Sequence, residues 1–232
     1  MTIHLHPTTA LAERVLLPGD PGRALRLAQS LLQAPVMFNH NRGLWGYTGT
    51  ASDGRPLTIQ STGMGGPSAA IVLAELVELG ARRLIRIGTC GGLDPALRLG
   101  ELLVVTEALS RDGTSAALGA RGSVTPDPEL TRSLLAAAGA NSHSGPVVSA
   151  DLFYDGPERN EEARRAGARA VEMETATLFA FAQRHGLPAA SVLIVSNLLS
   201  PSRIRIAARE LEVAERRLGE TAVAALISST PR

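Results

Sequence analysis

The sequence predicts an α/β fold: one domain over residues 1–232, built as a three-layer α/β/α sandwich with a mixed central β-sheet. Two observations carry that expectation. Short apolar runs alternate with longer stretches of helical periodicity along the chain, with no internal repeat and no low-complexity tract. The 232 residues are 44% hydrophobic, enough to bury a real core, and only 19% charged, unlike a disordered chain.

The elements follow in order. Residues 14–17 read as a strand, stopped by Pro18-Gly19-Asp20-Pro21, and 22–32 as a helix. Residues 44–51 and 56–62 read as a hairpin turned at Ser52-Asp53-Gly54. Residues 67–79 are a helix, with Pro67 in the first turn, Gly80 as the stop, and Ala70, Leu73, Ala74 and Val77 at helical spacing. Strands are expected at 83–87, 102–106, 146–149, 168–173 and 189–195, and helices at 127–138, 174–185 and 205–228. Residues 110–125 look like a loop near the site.

Composition excludes several function classes. A net charge of +1 gives no basic surface for a nucleic-acid backbone. At 3% aromatic content the chain lacks stacking platforms for single strands, and its core must rest on Leu, Val, Ile and Ala. No window approaches the ~18 apolar residues of a membrane span. With the single cysteine Cys90 and no apolar signal core in residues 1–12, a cytoplasmic protein is expected. No His/Cys cluster has metal-ligand spacing, so no metal is expected.

Five segments carry candidate chemistry. In Pro18-Gly19-Asp20-Pro21-Gly22-Arg23 a strand end opens a helix, and Gly19 lets an anion approach free N–H groups. Arg23 opposes the helix dipole there, which suits an anion-facing side chain; a solvated arginine in a plain turn is the alternative. Arg86 interrupts an apolar strand, on the face of Leu84 and Gly88, and Thr89 follows in a Gly-Thr-Cys-Gly-Gly stretch. This suits a tetrahedral oxyanion, although an arginine there could also reach solvent or pair with a core carboxylate. Gly63-Met64-Gly65-Gly66 again joins a strand to a helix, as a ligand approach or simply a tight turn. Glu172 and Glu174 bracket Met173; an ionised carboxylate here can accept hydrogen bonds from ribose hydroxyls, or serve only as a helix-start acid. Ser196-Asn197 ends an apolar strand, and Asn197 can both donate and accept, as a base reader or as a cap.

These segments occur in one order, together with Asn41-Arg42-Gly43, Gly46-Tyr47-Thr48-Gly49 and Ser149-Ala150-Asp151-Leu152-Phe153-Tyr154. Nearly the whole chain, from about His4 to the final helix, resembles the hexameric-type purine nucleoside phosphorylases and their uridine phosphorylase relatives. The resemblance implies phosphorolysis of purine ribo- or deoxyribonucleosides, with phosphate as a co-substrate and no cofactor. It implies that Gly19, Arg23, Arg86 and Thr89 bind phosphate, with Arg42 reaching a neighbouring subunit's site. Met64, Met173 and Glu174 would hold the ribose, and His4 its 5′-hydroxyl across a dimer interface, with His6 the weaker candidate. Phe153, Val171, Glu172, Ser196 and Asn197 would face the base, and Arg86 and Asn197 would act on the reacting groups. It also implies a homohexamer of dimers that share sites.

Two departures qualify the substrate. Purine enzymes of this type usually carry an aspartate at the position of Asn197, and asparagine cannot act as a general acid. Arg159 falls where the uridine enzymes read uracil, but Pro157 replaces the glutamine expected beside it, and 154–171 lacks their insertion. Purine is therefore favoured over uridine. A nucleosidase and a noncatalytic nucleoside-binding protein are the remaining alternatives. Arg209 could match an arginine that swings toward the base in the purine enzymes.

Overall fold

The computed structural model describes residues 2–154, 156–200 and 203–229. In chain order it begins with β1 (Arg14–Leu17), α1 (Pro21–Leu31), β2 (Gln33–Asn39), a 3-10 turn (Asn41–Gly43), β3 (Gly46–Thr50), β4 (Pro56–Gln60), α2 (Gly66–Glu78) and β5 (Arg83–Gly92). There follow β6 (Leu102–Arg111), α3 (Gly113–Ala117), β7 (Ser123–Val124), α4 (Pro128–Ala138), β8 (His143–Ala150) and α5 (Pro157–Arg165). The last elements are β9 (Ala170–Glu172), α6 (Thr175–His185), β10 (Ala189–Leu198), β11 (Ile204–Arg205) and α7 (Ala208–Ser228).

All strands belong to one mixed sheet, in the order β11-β10-β6-β8-β9-β5-β1-β4-β3-β2, with β7 on β6. β10 also pairs along the length of β5, so β5, β10, β6, β8 and β9 close on themselves at one end of the sheet. The central strands β4, β1, β5 and β10 run parallel, and their C-terminal ends emerge side by side. Ligand sites in α/β sheets form at such edges.

Period-two alternation divides the core between the two faces. Val15, Leu17, Leu84 and Leu193 pack with Leu73 and Leu76 of α2 and with Phe179 of α6. Leu16, Ile85, Ile87 and Val192 pack with Leu27 of α1, Leu134 of α4 and Leu218 of α7. The sandwich is thus as expected, and its core is mostly aliphatic. Caps set the helix starts: the Asp20 carboxylate accepts from Arg23 N at the head of α1, and Asp127 from Glu129 N and Leu130 N at the head of α4.

Several boundaries differ from expectation. β5 continues to Gly92 rather than stopping near Gly88, because its end pairs with both β10 and β9. The 110–125 segment is not a loop: it holds the end of β6, the short α3 and β7. The last helix starts at Ala208, since Arg205 belongs to a small strand paired with the end of β10. No helix among the described residues is long and apolar enough to cross a membrane.

Candidate active site

A cleft of about 1070 Å³ opens where the four parallel strands end. Each strand delivers one predicted segment: β1 delivers Gly19 and Arg23, β4 delivers Gly63 and Met64, β5 delivers Arg86 and Thr89, and β10 delivers Ser196 and Asn197. Phe153 after β8 and Val171, Glu172, Met173 and Glu174 around the end of β9 complete the wall.

The β1 and β4 loops are tied to one another by Thr62 N donating to Pro18 O at 2.8 Å and Gly63 N to Gly19 O at 3.1 Å. A Cβ on Gly19 would stand 3.1 Å from the Gly63 carbonyl, so this close approach favours a residue without one. Gly63 has φ +73, and a Cβ there would fall 2.4 Å from Ser68 Oγ.

Arg86 is 4% exposed and faces two carboxylates. Its Nε donates to Glu172 Oε2 at 3.0 Å, and its Nη2 lies 2.5 Å from Glu174 Oε2. The carboxylate-paired arrangement is therefore real for two of its nitrogens. Nη1, however, is buried with no hydrogen-bond partner among the described residues. A buried guanidinium nitrogen left without a partner is costly. Gly88 gives the guanidinium its room: a Cβ there would lie 2.6 Å from Nη2 and 2.8 Å from Cζ. Gly88→Ala is accordingly expected to displace the Arg86 guanidinium and lower the melting temperature, which a thermal melt checks.

The two glutamates do different things. Glu172 accepts from Arg86, from Ser149 Oγ, from Glu174 N at 3.0 Å and from Thr175 N at 2.9 Å. Those contacts anchor the start of α6 and hold Arg86 in place. Glu174 accepts from Gly65 N at 2.6 Å and from the Met173 backbone, besides its contact with Arg86. A carboxylate offers about four lone-pair positions, so Glu174 keeps acceptor capacity toward the cleft. Burial pushes its pKa up, the Arg86 charge pulls against that, and the Glu172 charge raises it further; the net shift is upward.

At the end of β10, a bulge at Ser196 shifts the register so that Asn197 stands opposite Gly91 of β5. Bulges beside active sites re-aim side chains in this way. The Asn197 amide oxygen accepts from Ser196 Oγ at 3.0 Å, leaving Nδ2 as a donor. Arg205 pairs with Asn197 across the β10–β11 ladder and also lines the cleft. Arg203 stacks over the Phe153 ring at 5.1 Å, both residues lining the cleft. Cys90 lies in the wall, its thiol pKa driven upward by burial, so it remains a neutral thiol.

The structure brings together all the predicted site residues except His4 and Arg42, which lie outside this cleft. His4 Nδ1 is 2.7 Å from Glu75 Oε1, and Glu75 also accepts from the backbone N–H groups of Ile3, His4 and Leu5. Arg42 is exposed in the 3-10 turn at φ +57, an uncommon conformation for a residue with a side chain. Asn41 Nδ2 donates to His4 O at 2.9 Å, joining the two segments. His6 is exposed, with Nε2 3.2 Å from Ile3 O. Arg209 is exposed on the first turn of α7 and is not part of the cleft wall. Sequence reasoning missed Arg26, Arg111, Arg203, Arg205 and Glu215, all in the wall.

A sequence model of the Phosphorylase superfamily matches residues 13–230. The chain belongs to this superfamily. It is 40% identical to the DeoD-type purine nucleoside phosphorylase of Geobacillus kaustophilus, over 85% of this chain and 86% of that one. The corresponding enzyme of Roseobacter denitrificans is 39% identical, over 86% and 88% of the two chains. That of Clostridium perfringens is 38% identical over the same shares. In this superfamily member the five candidate segments named from sequence line one cleft, while the Asn41-Arg42-Gly43 and Gly46-Tyr47-Thr48-Gly49 motifs lie outside it.

Proposed function

We propose that this protein is a purine nucleoside phosphorylase, a pentosyltransferase that reversibly cleaves purine nucleosides with inorganic phosphate to free base and ribose 1-phosphate. The observation that carries the proposal is Arg86: a buried guanidinium with an unpaired nitrogen, fixed in a cleft that also holds Arg23, Thr89 and the Gly19 turn. The DeoD-type relatives support the purine substrate.

In this mechanism phosphate lies against Arg23, Arg86 and Thr89, and the ribose against Met64, Met173 and Glu174. The bond between C1′ and the base nitrogen breaks as a phosphate oxygen bonds to C1′ from the opposite face. The electron pair of the broken bond leaves with the base, and the sugar passes through an oxocarbenium-like state. Phosphate and Glu174 provide negative charge beside that cation, and fixed positioning of both substrates supplies much of the acceleration. Asn197 hydrogen-bonds the departing base without protonating it; the base anion takes up, through solvent, the proton that hydrogen phosphate loses on becoming the ribose 1-phosphate dianion. Phosphate is a co-substrate, and no cofactor enters these steps.

Because the Asn197 oxygen is engaged, its amide presents donors. Bases with acceptors at N7 and O6 fit that better than adenine, whose 6-amino group is itself a donor. Inosine and guanosine are expected to exceed adenosine in kcat/KM by on the order of tenfold or more, with uridine slower still. Steady-state base release from the four nucleosides measures this, and uridine leading the series would contradict the purine assignment.

Two features support dimers with shared sites. Glu75 and Ile71 stand one turn apart on α2, and Glu75 holds Ile3 and His4. Asn41 links that face to Arg42. Ile3, Ile71 and Trp45 are exposed apolar side chains on or beside these segments, as a subunit interface needs. A partner seated there would bring His4 and Arg42 toward a neighbouring cleft, and three such dimers make the hexamer. The free, buried Cys90 is in keeping with the cytoplasm.

A further inference from the structure

The second cleft arginine, Arg23, is 6% exposed, and its only side-chain hydrogen bond among the described residues is through Nε. Nε donates to Glu215 Oε1 at 2.8 Å. The other oxygen of Glu215 receives Arg26, from Nε at 2.9 Å and Nη2 at 2.7 Å. Glu215 is 2% exposed and sits in the apolar stripe of α7, between Leu211 and Leu218. Packing alone gives no reason for a carboxylate there, since removing its water is costly and a leucine would fill the space.

The backbone is arranged to bring these groups together. Arg23 and Arg26 are one turn apart on α1, and Glu215 and Gly219 are one turn apart on α7. A Cβ on Gly219 would fall 2.6 Å from Leu31 Cδ1 and 2.9 Å from Leu27 Cδ2. Gly219 thus permits the close approach of α7 to α1 that puts Glu215 over both arginines. The result repeats the arrangement at Arg86, where a buried glutamate also takes Nε and leaves terminal nitrogen unpaired.

We propose that Glu215 is the positioning residue of the phosphate end: it grips Arg23 by Nε and so orients both terminal nitrogens of Arg23 toward phosphate, while Arg26 occupies its second oxygen. This rests on the assignment of Arg23 to phosphate. Glu215 touches neither substrate in this arrangement and acts through Arg23 alone. A guanidinium held by one edge loses less freedom on binding an anion with the other, which makes it a preorganised donor.

The test is a cycle of Arg23→Ala, Glu215→Gln and the double variant, each titrated separately with phosphate and with nucleoside, beside thermal melts. Glu215→Asp is the second single variant, keeping the charge on a shorter reach. Arg23→Ala and both Glu215 variants are expected to raise the KM for phosphate by on the order of tenfold while moving the KM for nucleoside less than about twofold. The double variant is expected to be no worse than Arg23→Ala, because Glu215 has nothing left to position. An unchanged phosphate KM in folded Glu215 variants, or additive losses in the double, overturns the role of Glu215. An unchanged phosphate KM in Arg23→Ala instead removes Arg23 from the phosphate site, and this inference with it.

Discussion

Replacing Arg86 with alanine is expected to reduce kcat/KM for phosphorolysis by about 10²–10³. Its guanidinium lines the cleft with Nη1 unpaired among the described residues, so in the proposed mechanism the loss falls on the step in which phosphate attacks. The same change leaves Glu172 and Glu174 without their shared cation, and breaking a buried pair from one side costs about 3–5 kcal/mol of stability. Arg86→Lys separates the two effects. It retains a charge for the carboxylates but cannot make the forked contacts of a guanidinium. Its melting temperature should recover most of what alanine loses, while kcat/KM stays at least about tenfold below the parent. Phosphate titration of both variants, each with a thermal melt, checks this.

Glu174→Gln is expected to cost roughly 10–10² in kcat/KM, the range of a hydrogen bond to a charged group. Unlike a loss of uniform binding, most of it should appear in kcat, because in the proposed mechanism the carboxylate counters charge that exists only as the glycosidic bond breaks. A pH profile adds an independent readout. Burial, opposed by Arg86 and reinforced by Glu172, holds the Glu174 pKa above the ordinary glutamate value. Activity should therefore fall as pH drops through that raised value, since a protonated carboxyl no longer presents a negative charge to the ribose. The acid limb should disappear in Glu174→Gln. Stability has the opposite sign: a carboxyl that binds its proton more tightly when folded makes unfolding easier as pH rises from its unfolded value through its folded one.

Much of this site was legible before any coordinates, for a physical reason. The parts of the cleft proposed to bind phosphate are turns at strand ends, and such turns mark themselves with glycine, proline and an arginine out of place. Arg23 and Arg86 stood out because each contradicts its surroundings, one at a helix N-terminus and the other inside an apolar strand. What could not be read was partnership. Arg86 and Glu172 are 86 residues apart, and Arg23 and Glu215 are 192 apart. Glu215 carried the same kind of signal, a charge within an apolar helical stripe, but its partners become evident only once α7 lies on α1. Glu172 and Glu174 reach one arginine because the strand ends between them; neither a continuous strand nor a continuous helix describes them.

The fold shows the same division. The alternation of apolar runs sufficed for the sandwich and the hairpin. β2 was missed because it is mostly exposed and interrupted by Pro35, and α5 because its sequence, Pro-Glu-Arg-Asn-Glu-Glu-Ala-Arg-Arg, has no apolar stripe. The closed end of the sheet depends on β10 pairing with both β5 and β6, a long-range choice that no local pattern encodes.

The central claim is that the two glutamate-held arginines exist to bind phosphate as the attacking group. The measurement that tests it most directly is release of hypoxanthine from inosine with and without inorganic phosphate, with ribose 1-phosphate quantified alongside. Release that depends on phosphate and yields one ribose 1-phosphate per base is the expected result. Base release at the same rate without phosphate, with free ribose as the product, would contradict it.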